Sequence, residues 1–502
     1  MIRRNIVANA CGGAWTVLLT LALIPIQTRL LGVEAYGLLS FMAALQGLAA
    51  ILDLGLSTTA IREIASDRSP GRRASEALIR TLHAISWLVG GGVGLALCAG
   101  AGLIARDWIT LGTIPVATAV AAIQLMALTL AARWPVSFFA SVLSGVERMD
   151  ALNLLRIATT TMRLGGGIVV LLLVPDLLAL LWWQLGAGVL EVALYAWTCR
   201  RLLPETRLAP ALASGVVARI WRYSLAVNLI VMQSIVLTVT DRQLLGKLAG
   251  AEQLGYYSIA YNFALGISMI QGFITSALMP ALSADASSGS RAQLAARYEK
   301  GTQLLVFAAT LPAALFICFS GELLGLVLRP AVVGHSAPLL AWLGVGFLVS
   351  VVPAMPYTLA MATGHTRIPL LVNAAVIAVY LPVLYFLIRS HGGLGAAWVW
   401  IGLNAIYLVA LPVLVQRQVL GQPVWRWFAR AVAPFLGLAA LCFGGARLLV
   451  TAGGLTSQAA VLGVAAVASA LFLGLGFTRL HADMRRPLTT LLRRATPGAA
   501  PP

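Results

Sequence analysis

Charge is what this sequence has least of. Only 10% of its residues are Asp, Glu, Lys or Arg, where a soluble protein carries about a quarter. So few charges cannot cover the surface of a water-soluble globule of 502 residues. Lysine is almost missing: Lys247 and Lys300 are the two in the chain. The five cysteines (Cys11, Cys98, Cys199, Cys318 and Cys442) are widely separated, with no CxxC and no Cys/His ligand spacing. That excludes a zinc cluster and a disulfide framework, and leaves the cysteines as small buried hydrophobes. No hydrophilic stretch is long enough for a folded soluble domain. A paired catalytic acid and base is also not visible, which argues against a membrane-embedded glycan polymerase or acyltransferase. No metal or organic cofactor is expected.

Apolar sequence fills the place of the missing charge. The composition is 60% hydrophobic, with a mean hydropathy of +0.90. Runs of about 20 apolar residues read as transmembrane helices. Fourteen candidates fall at 9–31, 36–62, 79–105, 111–143, 151–173, 177–199, 223–246, 253–280, 302–328, 336–363, 367–389, 393–416, 430–450 and 457–478. The fold class is therefore an all-α polytopic membrane protein. The basic, then apolar N-terminus is read as a retained first helix, because no small-residue cleavage site interrupts the run.

The net charge of +18 comes almost wholly from arginine. The arginines are mostly spread singly over short loops, with no long basic domain, so no nucleic-acid partner is expected. Most lie on one side of the spans. The other side holds Arg29, Arg106, Lys247, Arg329, Arg389 and Arg447. The positive-inside bias then predicts both termini in the cytoplasm. Stretches 199–222 and 479–494 are expected against the anionic inner leaflet.

An internal repeat divides the chain. One turn reads TRLLGVEAYGLLS, a later one DRQLLGKLAGAEQLGYYS. Both contain Leu-Leu-Gly and then Glu-x-x-Gly-x-x-Ser, at Glu34, Gly37, Ser40 and at Glu252, Gly255, Ser258. The glutamates are 218 residues apart. A second match aligns Gly145 and Arg148 with Gly364 and Arg367, at an offset of 219. The expected organisation is two pseudo-symmetric six-helix bundles, 1–210 and 211–420, then a helix pair, 421–480, and a cytoplasmic tail, 481–502. An even number of spans per half gives parallel repeats about an axis along the membrane normal, an arrangement suited to alternating access.

Charges inside a bilayer face a cavity or a partner. Arg29, Arg133, Arg156, Arg163 and Arg242 are the substrate-binding candidates. Asn153, Arg156, Thr160, Arg163 and Gly167 fall on one helical stripe. Arginine grips phosphate oxygens through a planar fork, so these residues suit an anionic group such as a pyrophosphate. A cavity for cationic drugs would present carboxylates. Asp53 and Asp241 are open to two readings: coupling to Na⁺ or H⁺, or structural ion pairing.

Three blocks carry a family resemblance: PIQTRLLGVEAYGLLSF from Pro25, LDLGLSTTAIREIA from Leu52, and TDRQLLGKLAGAEQLGYYSIAY from Thr240. Together they resemble the oligosaccharide and polysaccharide flippases, whose superfamily includes multidrug exporters and lipid II flippases. The resemblance implies transfer of a polyprenyl-pyrophosphate-linked glycan across the bacterial inner membrane, beside other polysaccharide-assembly proteins. It implies a transporter, not an enzyme, with basic residues in its cavity. It also implies a groove for the lipid tail on the last two helices. A multidrug cation antiporter of the same superfamily is the rival.

Overall fold

The structure, a computed structural model, describes residues 2–49, 61, 64, 73–203, 209–213 and 232–481. Among them the chain is helical, with no strand. In order the helices are α1 (Ile2–Leu30), α2 (Val33–Ala49), α3 (Glu76–Trp108), α4 (Val116–Gly145), α5 (Met149–Leu173) and α6 (Leu177–Leu202). They continue as α7 (232–248), α8 (Gly250–Ser287), α9 (Arg291–Leu324), α10 (Pro330–Ala362), α11 (Arg367–Leu420), α12 (Val424–Ala452) and α13 (Gln458–Arg479). Ten are long and apolar enough to cross a membrane. The 54 residues of α11 would reach ~80 Å if straight, over twice the bilayer core. Gly392 breaks it, with φ 56° and ψ −131°, so α11 holds two spans.

The chain forms two compact units. One is Met1–Ile259 with Tyr385–Gly393, the other Ala260–Leu384 with Leu394–Pro502. In the first, Phe138, Phe139, Val142 and Leu143 of α4 pack with Leu78 and Leu82 of α3 and Val192 and Tyr195 of α6. In the second, Phe319 of α9, Phe443 of α12 and Phe472 of α13 form a core. Lipid supplies no hydrophobic force between helices, so close packing and interhelical hydrogen bonds must hold them. Glycine permits the approach: a Cβ on Gly94 would meet the Ala131 Cβ at 2.6 Å. Outside the contacts apolar side chains stay exposed, as at Leu18, Leu95, Leu154 and Leu172, as a lipid-facing surface requires. Of the cysteines described, only Cys199 is fully buried, while Cys98, Cys318 and Cys442 are half-buried and all four are free.

Span 111–143 does not run as one helix. It starts at Val116, and Pro135 divides it after Arg133. Proline cannot donate to the preceding turn, which opens the helix there.

The turns repeat in their hydrogen bonds. After α4, the N–H groups of Val146, Glu147 and Arg148 donate to the carbonyls of Val142, Ser144 and Leu143. After α10, those of Thr363, Gly364 and His365 donate to Leu359, Met361 and Ala360. All three bonds recur at an offset of 217 residues. The repeat thus aligns Glu147 with Gly364 and Arg148 with His365, two residues away from the alignment by identity. Both positions need a left-handed backbone, φ 60° at Glu147 and 77° at Gly364, as this helix ending demands. In the other pair the turn glycines are Gly32 (φ 86°) and Gly250 (φ 90°), 218 apart like the glutamates. The second Leu-Leu-Gly is not a turn: it lies within α7, where a Cβ on Gly246 would stand 2.9 Å from the Phe41 ring.

Candidate functional site

Three helices of the first unit, α4, α5 and α6, gather four charged side chains. Arg133 is the last residue before the break in α4, and its Nε donates to Oε2 of Glu191 on α6 at 2.7 Å. Gly188, one turn before Glu191, leaves room for the arginine stem, because a Cβ there would lie 2.8 Å from the Arg133 Cγ. The other oxygen of Glu191 accepts from the Thr159 hydroxyl of α5 at 3.2 Å. Arg163 is close enough to feel both the positive charge of Arg133 and the negative charge of Glu191. Its Nε is buried with no hydrogen-bond partner among the described residues. Arg156, on an exposed face of α5, acts electrostatically on Tyr195 of α6. Two guanidiniums thus share one carboxylate, which neutralises one of them, and Arg156 adds a third on the same helix as Arg163. The cluster keeps a surplus of two positive charges and an unsatisfied donor, and a multiply charged oxyanion answers both.

The stripe read from α5 at helical spacing holds only in part. Residues Thr161–Gly165 form a π-helical turn, with i→i+5 bonds that change the phase of all that follows. Asn153 and Thr160 are buried and Arg156 is exposed. Thr159, not Thr160, meets the carboxylate. The turn is held from two sides. Trp15 Nε1 of α1 donates to the Thr161 hydroxyl at 2.8 Å, and Trp183 Nε1 of α6 donates to the Arg163 carbonyl at 3.2 Å.

The remaining candidates lie elsewhere. Arg29 is exposed in the last turn of α1. Asp241 is buried in α7, where its Oδ2 accepts from the Tyr257 hydroxyl of α8 at 2.7 Å. Its Oδ1 accepts from the Arg242 backbone N–H at 2.7 Å and lies 3.7 Å from Arg242 Nε. The Arg242 guanidinium also donates to the Thr238 carbonyl at 2.9 Å. These contacts fit the ion-pair reading of Asp241. Asp53, Arg62 and the tail from 482 lie outside the described residues.

The two Glu-x-x-Gly turns meet directly. A Cβ on Gly37 would lie 1.7 Å from the Ala251 carbonyl oxygen, and one on Gly255 would lie 2.3 Å from the Val33 carbonyl oxygen. Each glycine sits against the carbonyl four residues before the other, so α2 and α8 cross through matching positions. The loop between α3 and α4 binds both turns. Ala251 N–H donates to the Thr110 carbonyl at 2.9 Å. Glu34 accepts from the N–H groups of Gly112 and Thr113 at 2.6 and 2.8 Å, and from the Thr113 hydroxyl. Partial burial opposes ionisation of Glu34. The hydrogen bonds from Thr113, Gly112 and Ile114 outweigh it and hold the carboxyl below the usual glutamate range.

Glu191 counts in the sequence among the charges inside apolar runs that face a cavity or a partner, but its pairing with Arg133 was not assigned, and Glu34 had no assigned role as the anchor of the loop. Glu34 carried a signal, because it recurs as Glu252 in the repeat.

Comparison with known proteins gives one family match and several likenesses. The profile of the family described as "Polysaccharide biosynthesis protein" matches residues 2–284. A Shigella flexneri protein named "Putative O-antigen transporter" is 23% identical over 400 residues, covering 80% of this chain and 94% of that one. A solved structure of the lipid II flippase MurJ, in an inward closed conformation, covers 94% of this chain and 98% of its own, with a TM-score of 0.69 and 11% identity. An inward-facing multidrug resistance MATE family transporter of the MOP superfamily covers 81% and 94%, with a TM-score of 0.66 and 16% identity. These structural likenesses establish the fold.

Proposed function

The chain belongs to the polysaccharide biosynthesis protein family, and from that premise we propose that this transporter moves a polyprenyl-pyrophosphate-linked oligosaccharide across the bacterial inner membrane by alternating access. The observation that carries the reading is the arginine surplus around Glu191. Arg133 and Arg163 form the core of the headgroup site. Arg156 extends it along α5, and Arg29 and Arg242 mark the outer ends of α1 and α7. A pyrophosphate brings the oxyanion charge that the cluster leaves unmatched. A cationic drug would meet a repelling field there, which sets the multidrug reading aside.

In this reading both termini are cytoplasmic, and two six-helix halves rock about the site. The crossing of Gly37 with Gly255 closes the outer side. The polyprenyl tail lies along α12 and α13, whose exposed Leu441, Leu448, Leu449 and Val467 offer an apolar surface. A gradient of Na⁺ or H⁺ drives the return. Asp53 is the candidate for coupling, while Asp241 serves as a structural ion pair with Arg242.

The test is glycan export in a strain lacking its own flippase. Arg133→Ala and Arg163→Ala, present in the membrane at normal levels, are expected to abolish export while leaving drug resistance unchanged. Normal export by both variants would overturn the assigned roles.

A further inference from the structure

The second unit holds a polar cavity that the transport reading does not use. It has a volume of about 170 Å³ and lies where the start of α9, the end of α11 and the start of α12 meet. Tyr298 and Trp427 stack in its wall, with ring centroids 5.5 Å apart and planes at 17°. The Trp427 Nε1 donates to the Thr302 hydroxyl at 3.1 Å, which fixes that wall. Arg426, Arg430 and Glu299 supply charge of both signs to the lining. Gln416 is buried, with 1% of its surface exposed. Its Nε2 donates to the Tyr298 hydroxyl at 3.3 Å. Its Oε1 is buried and has no hydrogen-bond partner among the described residues.

This combination is selective. Two arginines favour a phosphate. A simple anion would set its charge beside the Glu299 carboxylate and leave the Gln416 oxygen unmatched, at the usual desolvation cost. A group with a phosphodiester at one end and an N–H-bearing cation at the other satisfies all four side chains. The cavity also borders the lipid-facing surface. Trp425 is 66% exposed, with the Arg426 guanidinium 5.3 Å over its ring, and Phe428 is exposed beside it. An aromatic and arginine pair of this kind is suited to the interface between headgroups and acyl chains.

We propose that this cavity binds the phosphoethanolamine headgroup of a membrane phospholipid. The phosphodiester pairs with Arg426 and Arg430, the ammonium donates to Glu299 and to the Gln416 Oε1, and the acyl chains lie against Trp425 and Phe428. No residue is shared with the arginine cluster around Glu191, so failure of one reading leaves the other standing.

The test uses the full chain, purified in detergent and offered phosphatidylethanolamine, phosphatidylglycerol or phosphatidylcholine with identical acyl chains. Bound lipid is counted by native mass spectrometry, and the thermal midpoint is followed in parallel. Phosphatidylethanolamine is expected to be retained at least fivefold better than the other two. Glu299→Gln is expected to remove its advantage over phosphatidylglycerol, and the double variant Arg426→Gln/Arg430→Gln to cut its retention at least fivefold. These heads are partly or wholly exposed, so both variants should fold. Equal retention of phosphatidylcholine, whose quaternary ammonium has no N–H to donate, would overturn the proposal. So would preference for phosphatidylglycerol, or retention unchanged in the double arginine variant.

Discussion

Replacing Gly37 or Gly255 by alanine is the sharpest test of the crossing between α2 and α8. The obstacles are backbone oxygens, which cannot rotate away: the Ala251 carbonyl for Gly37 and the Val33 carbonyl for Gly255, at 1.7 and 2.3 Å from the added carbon. An ordinary C···O contact is about 3.3 Å, so the helices must part by ~1.6 Å for Gly37→Ala and ~1 Å for Gly255→Ala. Overpacking of this kind costs about 1–3 kcal/mol. If that cost falls on one conformation only, it shifts the equilibrium between conformations by roughly 5- to 150-fold. Spin labels at the exposed positions 30 and 253 would report it, with Gly37→Ala raising the population of long distances more than Gly255→Ala. The double variant should add less than the sum, because the first substitution has already parted the helices. Gly102→Ala in α3, where a Cβ has nothing within 4 Å, is the control and should be neutral or up to ~1 kcal/mol stabilising. An unchanged distance distribution in both single variants, with full expression, would refute the argument that this crossing defines a closed state.

Three further outcomes are expected. Glu147→Gly should stabilise the chain by ~0.5–1 kcal/mol, since it relieves the left-handed strain, while Gly364→Ala should cost about 1–2 kcal/mol for the same reason. Thermal unfolding in detergent reads both. Glu191→Gln should destabilise by about 3 kcal/mol, because Arg133 and Arg163 lose their shared carboxylate; Arg133 is 27% exposed, which keeps the loss at the low end. Glu34 has a lowered pKa, so the stability it adds is full above the ordinary glutamate value and is lost as pH falls through the folded value. Proteolysis of the 109–115 loop should therefore be constant from about pH 8 to 5 and rise in more acid solution, while Glu34→Gln should raise it throughout. A loop that opens near neutral pH in the unaltered protein would contradict this.

Much of the fold was legible because lipid imposes simple rules on sequence. Apolar runs of bilayer length mark α3 to α6 and α8 to α13, and few loop residues disturb the count. The Glu-x-x-Gly repeat was legible because both copies keep a turn and a close crossing. The arginines of the site were also visible, since a charge inside an apolar run stands out. Their partner was harder to see. Glu191 lies 58 residues from Arg133 on another helix, and nothing local pairs them. The π-helical turn at Thr161–Gly165 was invisible to a reading that assumed α-helical phase, and the placing of Arg163 and Gly167 on one stripe with Asn153 and Arg156 ignored that shift. The partners of Glu34 are chiefly backbone N–H groups, which every sequence has and none advertises. The repeat at 147 and 364 was misaligned by two residues because identity favoured Gly145, whereas the conserved feature is a backbone conformation that Glu147 adopts against its preference.

The loop between α3 and α4 holds two turns with unequal strength. Toward α2 it is bound by the Glu34 carboxylate through charge-assisted bonds from Gly112 and Thr113, each worth about 1.5–3 kcal/mol. Toward the turn between α7 and α8 its bonds are between neutral groups, Ala251 N–H to the Thr110 carbonyl at 2.9 Å, Thr110 N–H to the Gly246 carbonyl at 3.3 Å and the Thr110 hydroxyl to the Lys247 carbonyl at 3.4 Å, each worth about 1 kcal/mol or less. When α2 and α8 separate, the weaker attachment yields first and the loop travels with α2. The order of release is thereby written into the charge of one side chain: Glu252, the counterpart of Glu34, instead accepts from the Tyr256 hydroxyl of its own helix at 3.0 Å. The mechanics of the two copies are therefore unequal although their backbones match, and the contact between α2 and α8 should open as a door hung on α2.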